Sequence, residues 1–270
     1  MESLNTKKKF NMKFLVIGDL CIDVFIYGRV DRLSPEAPIP VFIPTRKVTN
    51  DGMAGNVIAN IKSLIVGNPT YKVDSFVSVN NRETFPTKTR YVDEASNHYF
   101  IRVDEGENTD TFPLDMELMP KWIGEADCIV ISDYDKGYLS NNDIINICKY
   151  KAKNAVVFLD TKKTIYEDVL YFVDFVKFNK VEYAKHKALL EDCKTFNHKI
   201  IVTKGGEGVE YDGEKFEGEN VVTMDVSGAG DTFLAGLVVK YMETRDIKEA
   251  IRFANKIAVE VVKKRGVASI

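Results

Sequence analysis

At 270 residues, of which 45% are hydrophobic, 29% charged and 11% aromatic, the chain has material for a sizeable core, which excludes a disordered tail or a fibrous repeat. Against domains of about 150 residues, it makes one large domain or two small ones. Its 37 basic and 40 acidic side chains leave a net charge of −3, so there is no electrostatic case for DNA, RNA or an anionic membrane surface as its main partner.

In chain order, the start carries Lys7, Lys8 and Lys9, but the apolar run behind them, Phe14 to Ile17, is shorter than the roughly 7 to 15 residues of an export signal. No later run approaches the roughly 18 residues of a membrane span. A frayed leader over 1–12 and a cytoplasmic protein are expected. Cys21, Cys128, Cys148 and Cys193 lie far apart without a CxxC pair, as free thiols in a reducing compartment do. Short apolar runs at 14–18, 127–132, 155–159, 173–178 and 199–203 predict strands buried on both faces. Helical periods start near Met53 (Val57, Ile58, Ile61, Leu64), run through Phe233, Leu234, Leu237 and Tyr241, and are clearest from Ile247 to Val262. This alternation predicts a layered α/β fold with a largely parallel central sheet flanked by helices. The stretches 24–30, 39–44, 87–92 and 98–104 alternate in polarity and predict a small, half-exposed sheet apart from the main one, drawn from about 24–48 and 86–104. No linker separates the parts, so a single domain over 13–270 with a β appendage is expected.

The sharpest local feature is Asp225-Val-Ser-Gly-Ala-Gly-Asp-Thr-Phe233, between a short apolar strand (Val221, Val222) and an amphipathic helix. Small residues at Gly228, Ala229 and Gly230 let the backbone turn tightly and aim N–H groups outward at the positive end of the helix, which suits phosphate or a developing anion. Alone, the segment reads equally as an ordinary strand-to-helix turn. The P-loop pattern GxxxxGK[ST] and GxGxxG are both absent. Lys204-Gly-Gly-Glu-Gly208 by itself predicts a hairpin turn, continued by a strand at Val209 to Tyr211 and a second turn at Asp212-Gly213.

Taken together, these segments resemble the ribokinase-like (PfkB) carbohydrate kinases, from about residue 13 to the end. The likeness is carried by 16–41, above all Arg32-Leu-Ser-Pro-Glu-Ala-Pro38, by Gly52-Met-Ala-Gly-Asn56, Thr87-Lys-Thr-Arg90, Ser132-Asp-Tyr-Asp-Lys-Gly137, Asp160-Thr-Lys162, Asn179-Lys-Val-Glu182, Thr203-Lys-Gly205 and Phe253-Ala-Asn255, all in the family's order. Within the family, the pattern is most similar to the kinases of D-glycero-D-manno-heptose 7-phosphate. It departs from the family at Asp51-Gly52, where a double glycine is usual, at Asp160-Thr161-Lys162, where DPK is usual, and between Val77 and Thr87, where a helix and strand are usual and a short polar stretch stands here.

The resemblance implies roles position by position. Asp231 would be the base that takes the proton of a sugar hydroxyl, and the amides of Gly228, Ala229 and Gly230 would stabilise the transferred phosphoryl group. Asn179, Lys180, Val181 and Glu182 form an NxxE segment that would serve nucleotide and Mg²⁺, with Glu182 acting on the metal through water. ATP would lie across Thr203, Lys204, Gly205 and Gly208, with Asn255 near the base. Asp19 and Asp23 would bind sugar hydroxyls, supported by Gly52 and Asn56. Lys88, Arg90, Arg102 and Lys136 would meet a sugar phosphate. The implied reaction is phosphorylation at C1 of the heptose 7-phosphate. A kinase of another sugar phosphate or nucleoside, and a kinase-fold binding protein without activity, use the same residues. The small sheet would cover the sugar as a lid and form a homodimer contact, and the length would equal one kinase domain without a nucleotidyltransferase half.

Overall fold

A computed structural model describes residues 12–78, 85–106, 112–219 and 226–263. In chain order the elements are strands β1 (Met12–Gly18), β2 (Leu20–Leu33) and β3 (Pro40–Met53), helix α1 (Ala54–Leu64), strands β4 (Tyr71–Val77), β5 (Thr87–Asp93) and β6 (Tyr99–Glu105), then α2 (Pro120–Glu125), β7 (Cys128–Asp133), α3 (Asn141–Tyr150), β8 (Val156–Thr161), α4 (Glu167–Phe172), β9 (Phe175–Asn179), α5 (Lys180–Lys185), α6 (Lys187–Asp192), β10 (Ile200–Thr203), β11 (Val209–Tyr211), β12 (Glu214–Phe216), α7 (Ala229–Thr244) and α8 (Ile247–Val262).

Among the described residues the strands form two sheets. The larger has the order β12-β11-β10-β9-β8-β7-β1-β4. It is parallel from β4 to β10 and antiparallel across the β10–β11–β12 hairpins. Its five central strands are the five apolar runs, and alternation along each explains why none has a polar side. Leu15, Ile17, Ile129, Ile131, Val157 and Leu159 pack on one face with Ile144, Ile147 and Val169. Phe14, Val16, Val130 and Phe158 pack on the other, against Val57 and Ile61 of α1, Leu234 and Leu237 of α7, and Ile251 of α8. Each such fully buried side chain contributes roughly 1.5–3 kcal/mol, which is what holds helices to both faces.

The smaller sheet has the order β3-β2-β5-β6, with β2 and β5 parallel and the other pairs antiparallel. Its own buried cluster is only Phe25, Tyr27 and Val92, with Val48 packed against it. The four alternating stretches therefore make a separate sheet, although β2 and β3 run longer than the pattern suggests because β2 starts two residues after β1 ends. All four cysteines are buried and free. Among the described residues no helix is long and apolar enough to cross a membrane.

Several elements lack a matching expectation. β4, with the sequence YKVDSFV, is the sheet's end strand among the described residues and is half exposed, so its pattern is neither continuous nor alternating. Helices α4, α5 and α6 have six residues each, too few to display a helical period. α3 is marked only by a capping box, in which Ser140 accepts from the Asp143 amide and Asp143 reaches back to the Ser140 amide. The predicted strand at Val221 and Val222, Asp225, and the leader up to residue 11 lie outside the described residues, whereas Met12 belongs to β1.

Candidate active site

Residues at or just after the carboxyl ends of β7, β8, β9 and β10, namely Tyr134, Lys162, Asn179 and Thr203, line one crevice. The chain leaves β1 to build β4 on one side and β7 on the other, and such a switch point leaves strand ends uncovered for a ligand.

Gly228 caps α7 with φ 81°, a left-handed conformation that glycine adopts without a Cβ clash. This brings Asp231 into the first turn, 5% exposed. Its Oδ1 accepts from the Tyr134 hydroxyl at 2.7 Å, and its Oδ2 from Asn56 Nδ2 at 3.0 Å. Asn60 Nδ2 donates to Asn56 Oδ1 at 3.0 Å, and Thr232 Oγ1 donates to Asn60 Oδ1 at 3.3 Å, so a buried polar chain fixes the carboxylate. Burial pushes the Asp231 pKa up to about 6, and the charge of Asp160 adds to the rise; the hydrogen bonds from Tyr134 and Asn56 and the charge of Lys177 oppose it. The Tyr134 hydroxyl stays a donor, because burial first and the Asp231 charge second hold its pKa well above 10. The Ala229 amide bonds the Val226 carbonyl at 3.3 Å, while the Gly230 and Asp231 amides lie in the first turn, where N–H groups have no intrahelical acceptor and the dipole is positive.

On one side of Asp231 is a cavity of about 190 Å³ lined by Asp23, Lys88, Arg90, Arg102, Tyr134 and Lys162, with Gly228 at its edge. Arg90 Nη1 donates to Asp23 Oδ1 at 2.5 Å, both side chains being buried. Lys88 stands opposite Asp23 in the β2–β5 register, and Arg102 opposite Arg90 in β5–β6. Arg102 also forms a bidentate pair with Asp104, at 2.6 and 2.5 Å. A Cβ at Gly52 would stand 2.1 Å from Asp23 Oδ2, so this glycine makes room for the carboxylate. The small sheet thus supplies one anion and several cations, a set suited to a polyol that carries a negative group.

On the other side is a cleft of about 550 Å³ lined by Asn179, Lys180, Val181, Glu182, Thr203, Lys204 and Gly205, together with Lys177, Asp160 and Gly230. Val181 and Val226, 78% and 70% exposed, border it with apolar surface. Asn179 caps α5: its Oδ1 accepts from the Val181 and Glu182 amides at 2.9 Å, and Glu182 accepts from the Asn179 amide and Nδ2 at 2.7 Å. Burial first, then the Asp160 charge, raise the Glu182 pKa. Lys177 and Asp160 form a buried ion pair at 2.6 Å.

The structure does not bring every candidate into these two spaces. Asp19 Oδ2 accepts from the amides of Tyr134 at 2.7 Å and Lys136 at 3.3 Å, so it fastens the loop after β7 rather than lining the cavity. Burial, then the Asp133 charge, push its pKa up to about 6. Lys136 lines neither space, and Gly208 closes the hairpin behind the cleft, its amide bonded to the Gly205 carbonyl at 2.9 Å. Asn255 donates to the Glu217 carbonyl at 2.9 Å and lines a different cleft with Phe216, Glu217 and Arg252. Tyr134, Lys162, Asp160 and Lys177 line the site without a role implied by the family resemblance. Lys177 carries a visible signal, a charge at the centre of the apolar strand Phe175–Asn179. The NxxE segment is also a capping-box signature, which predicts the start of α5 directly.

Comparisons with known proteins identify the fold and the family. The ribokinase from Thermotoga maritima superimposes with a TM-score of 0.64 at 18% identity, covering 95% of this chain and 94% of that one. Phosphofructokinase-2 from Escherichia coli gives 0.66 at 14% identity, covering 95% and 94%. The fold is therefore the ribokinase-like α/β fold. A model of the pfkB family carbohydrate kinases matches residues 68–270. The bifunctional protein HldE of Helicobacter pylori is 32% identical over 95% of this chain and 64% of its own length, and that of a Nitratiruptor species is 30% identical over 95% and 63%. This chain thus spans less than two thirds of the length of these relatives. It belongs to the pfkB family of carbohydrate kinases, phosphotransferases with an alcohol group as acceptor.

Proposed function

We propose that the chain transfers the γ-phosphoryl group of ATP to the C1 hydroxyl of D-glycero-D-manno-heptose 7-phosphate. The observation that carries this reading is Asp231, a buried carboxylate at a helix start, between a cation-lined cavity and a larger cleft. Residues 32–38 and the similarity to HldE proteins support the heptose as acceptor. Asp23 accepts hydrogen bonds from sugar hydroxyls, while Lys88, Arg90 and Arg102 attract the sugar phosphate. The nucleotide occupies the cleft along Asn179, Thr203, Lys204 and Gly205, with Val181 and Val226 as apolar contacts. Tyr134 and Asn56 hold Asp231 in place to take the acceptor proton, and the α7 amides face the charge that develops on the phosphoryl group.

The residues fit a hydrated Mg²⁺. Glu182 and Asp160 face the same cleft, and Glu182 is raised in pKa in part by the Asp160 charge, a strain that a cation relieves. Mg²⁺ keeps several of its waters and needs few protein ligands, so Glu182 would act on the ion through water. When bound, the ion offsets phosphate charge. We place the protein in the cytoplasm, acting on small molecules, as a homodimer through the exposed apolar residues of the small sheet.

Asp231→Asn is expected to keep ATP binding and lose on the order of 10²- to 10⁴-fold in kcat, the contribution of a general base. Near-normal turnover would overturn the role of Asp231. The acceptor is tested by ADP release from ATP and Mg²⁺ with a panel of sugar phosphates and nucleosides. Release with the heptose 7-phosphate supports the reading, release only with another acceptor replaces the substrate, and release with none points to a binding protein.

A further inference from the structure

Lys162 directly follows β8, and its backbone is tied on both sides. Its amide donates to the Asp133 carbonyl at 3.0 Å, and its carbonyl accepts from Lys185 Nζ at 2.9 Å. Its ammonium stands 3.8 Å from the centre of the Tyr134 ring, the ring whose hydroxyl donates to Asp231. Tyr134 and Lys162 are the two residues, among those described, that line both the cavity and the larger cleft. The Lys162 side chain is open to these spaces, and among the described residues no carboxylate lies within ion-pair distance of it. Crowding, then the Lys88 charge, lower its pKa, while Asp160, Asp231 and Glu182 favour its charge from farther away. An ammonium held against a ring face keeps its N–H donors available for a ligand anion.

We propose that Lys162 is a catalytic residue of the phosphoryl transfer, its ammonium contacting the oxygens of the group that passes from the cleft to the cavity. This rests on the kinase reading above. In the step, the bond between the γ-phosphorus and the bridging oxygen breaks, and its electron pair leaves with ADP. A new bond forms from the acceptor oxygen to phosphorus, and the acceptor proton goes to Asp231. Lys162 keeps its own proton throughout. As Asp231 is neutralised, the phosphoryl oxygens become the anion beside Lys162, so the contact strengthens as transfer proceeds. A lysine serving one ligand alone would need to face only one of the two spaces.

The test uses the full chain with the acceptor that the panel identifies. Lys162→Met keeps an unbranched stem against the ring, and Lys162→Arg keeps the charge. The Met variant is expected to lose on the order of 10²- to 10³-fold in kcat, with KM for ATP and for the acceptor within about threefold of wild type. The Arg variant is expected to recover at least about tenfold of that loss, which a structural role alone would not require. Unchanged kcat in the Met variant, or a change confined to KM for the acceptor, overturns the proposal. A second readout is the gain in ADP affinity produced by aluminium fluoride, a mimic of the phosphoryl group in transit. The Met variant should bind ADP like wild type and lose that gain; an equal gain overturns the proposal. Should wild type turn over no acceptor, the kinase reading falls and this proposal with it, whereas turnover by wild type with an equal gain in the Met variant overturns the role of Lys162 alone.

Discussion

Asp231 holds a charge where burial makes a charge costly, and both its reactivity and its effect on stability follow. Its pKa, raised to about 6, means that the carboxylate is available as a base at neutral pH and is lost as pH falls. With a heptose phosphate or any other acceptor, kcat/KM should therefore drop tenfold per unit below about pH 6, read from a pH–rate profile. Tyr134→Phe removes a hydrogen bond that lowers this pKa, so the acid limb should move to higher pH, with kcat reduced about tenfold as the base loses its anchor. The same raised pKa makes the fold less stable as pH rises from the unfolded value of 3.8 through about 6. Asp231→Asn should accordingly raise Tm at pH 7 to 8 by the equivalent of about 1–3 kcal/mol, and the gain should vanish near pH 4. An Asn can still accept from the Asn56 amide and donate to the Tyr134 oxygen, so the network remains satisfied.

At the scale of elements, the NxxE segment joins local folding to the site. Asn179 and Glu182 satisfy amides at the start of α5, a helix of only six residues with little else to nucleate it. Asn179→Ala should cost about 1–2 kcal/mol in thermal or urea unfolding, the usual loss of a cap. Glu182→Gln keeps an acceptor for the Asn179 amide but removes the charge and the hydrogen bond from Asn179 Nδ2. It should cost about 0.5–1.5 kcal/mol in unfolding while raising the Mg²⁺ concentration needed for half-maximal rate, and an unchanged Mg²⁺ dependence would make Glu182 a cap and nothing more. Elements with a strong period are legible in the sequence: β1, β7, β8, β9, β10, α1, α7 and α8 follow from continuous apolar runs or 3.6-residue stripes. β4 and the six-residue helices are not, because an end strand shares features of core and surface, and six residues carry less than two turns of pattern.

At the scale of the molecule, the main sheet buries both faces, whereas the small sheet has a hydrophobic cluster of its own of only Phe25, Tyr27 and Val92 among the described residues, and leaves Ile43, Tyr99, Phe100 and Ile101 between 38% and 56% exposed. A sheet this thinly supported gains stability when a second copy covers it. Ile101→Glu, on the strand whose residues are all exposed, should shift the protein to monomer in light scattering coupled to gel filtration while leaving its circular dichroism unchanged. A protein that is monomeric before substitution would overturn the lid dimer.

Sequence alone determined the class of fold, since hydrophobic period is a local property: runs without a polar side must be covered twice, and alternating ones once. It also marked Asp231, because a tight turn of small residues at the start of a helix has few other uses once its companion segments are in order, although the amphipathic helix expected behind it is instead buried on every side from Asp231 to Val239. The tertiary structure decided what stands beside what. Asp19 and Asp23, four residues apart, part company: one fastens the loop that carries Tyr134, the other faces Arg90 and the cavity. Asn56 and Tyr134, at 175 and 97 residues from Asp231, meet its two oxygens. Lys162 reaches between the two spaces only because β8 ends beside the loop after β7. Such proximity is set by strand order and by the packing of α1 and α7 on one face, which arise from contacts summed over the whole chain and leave no trace in the spacing of any one segment.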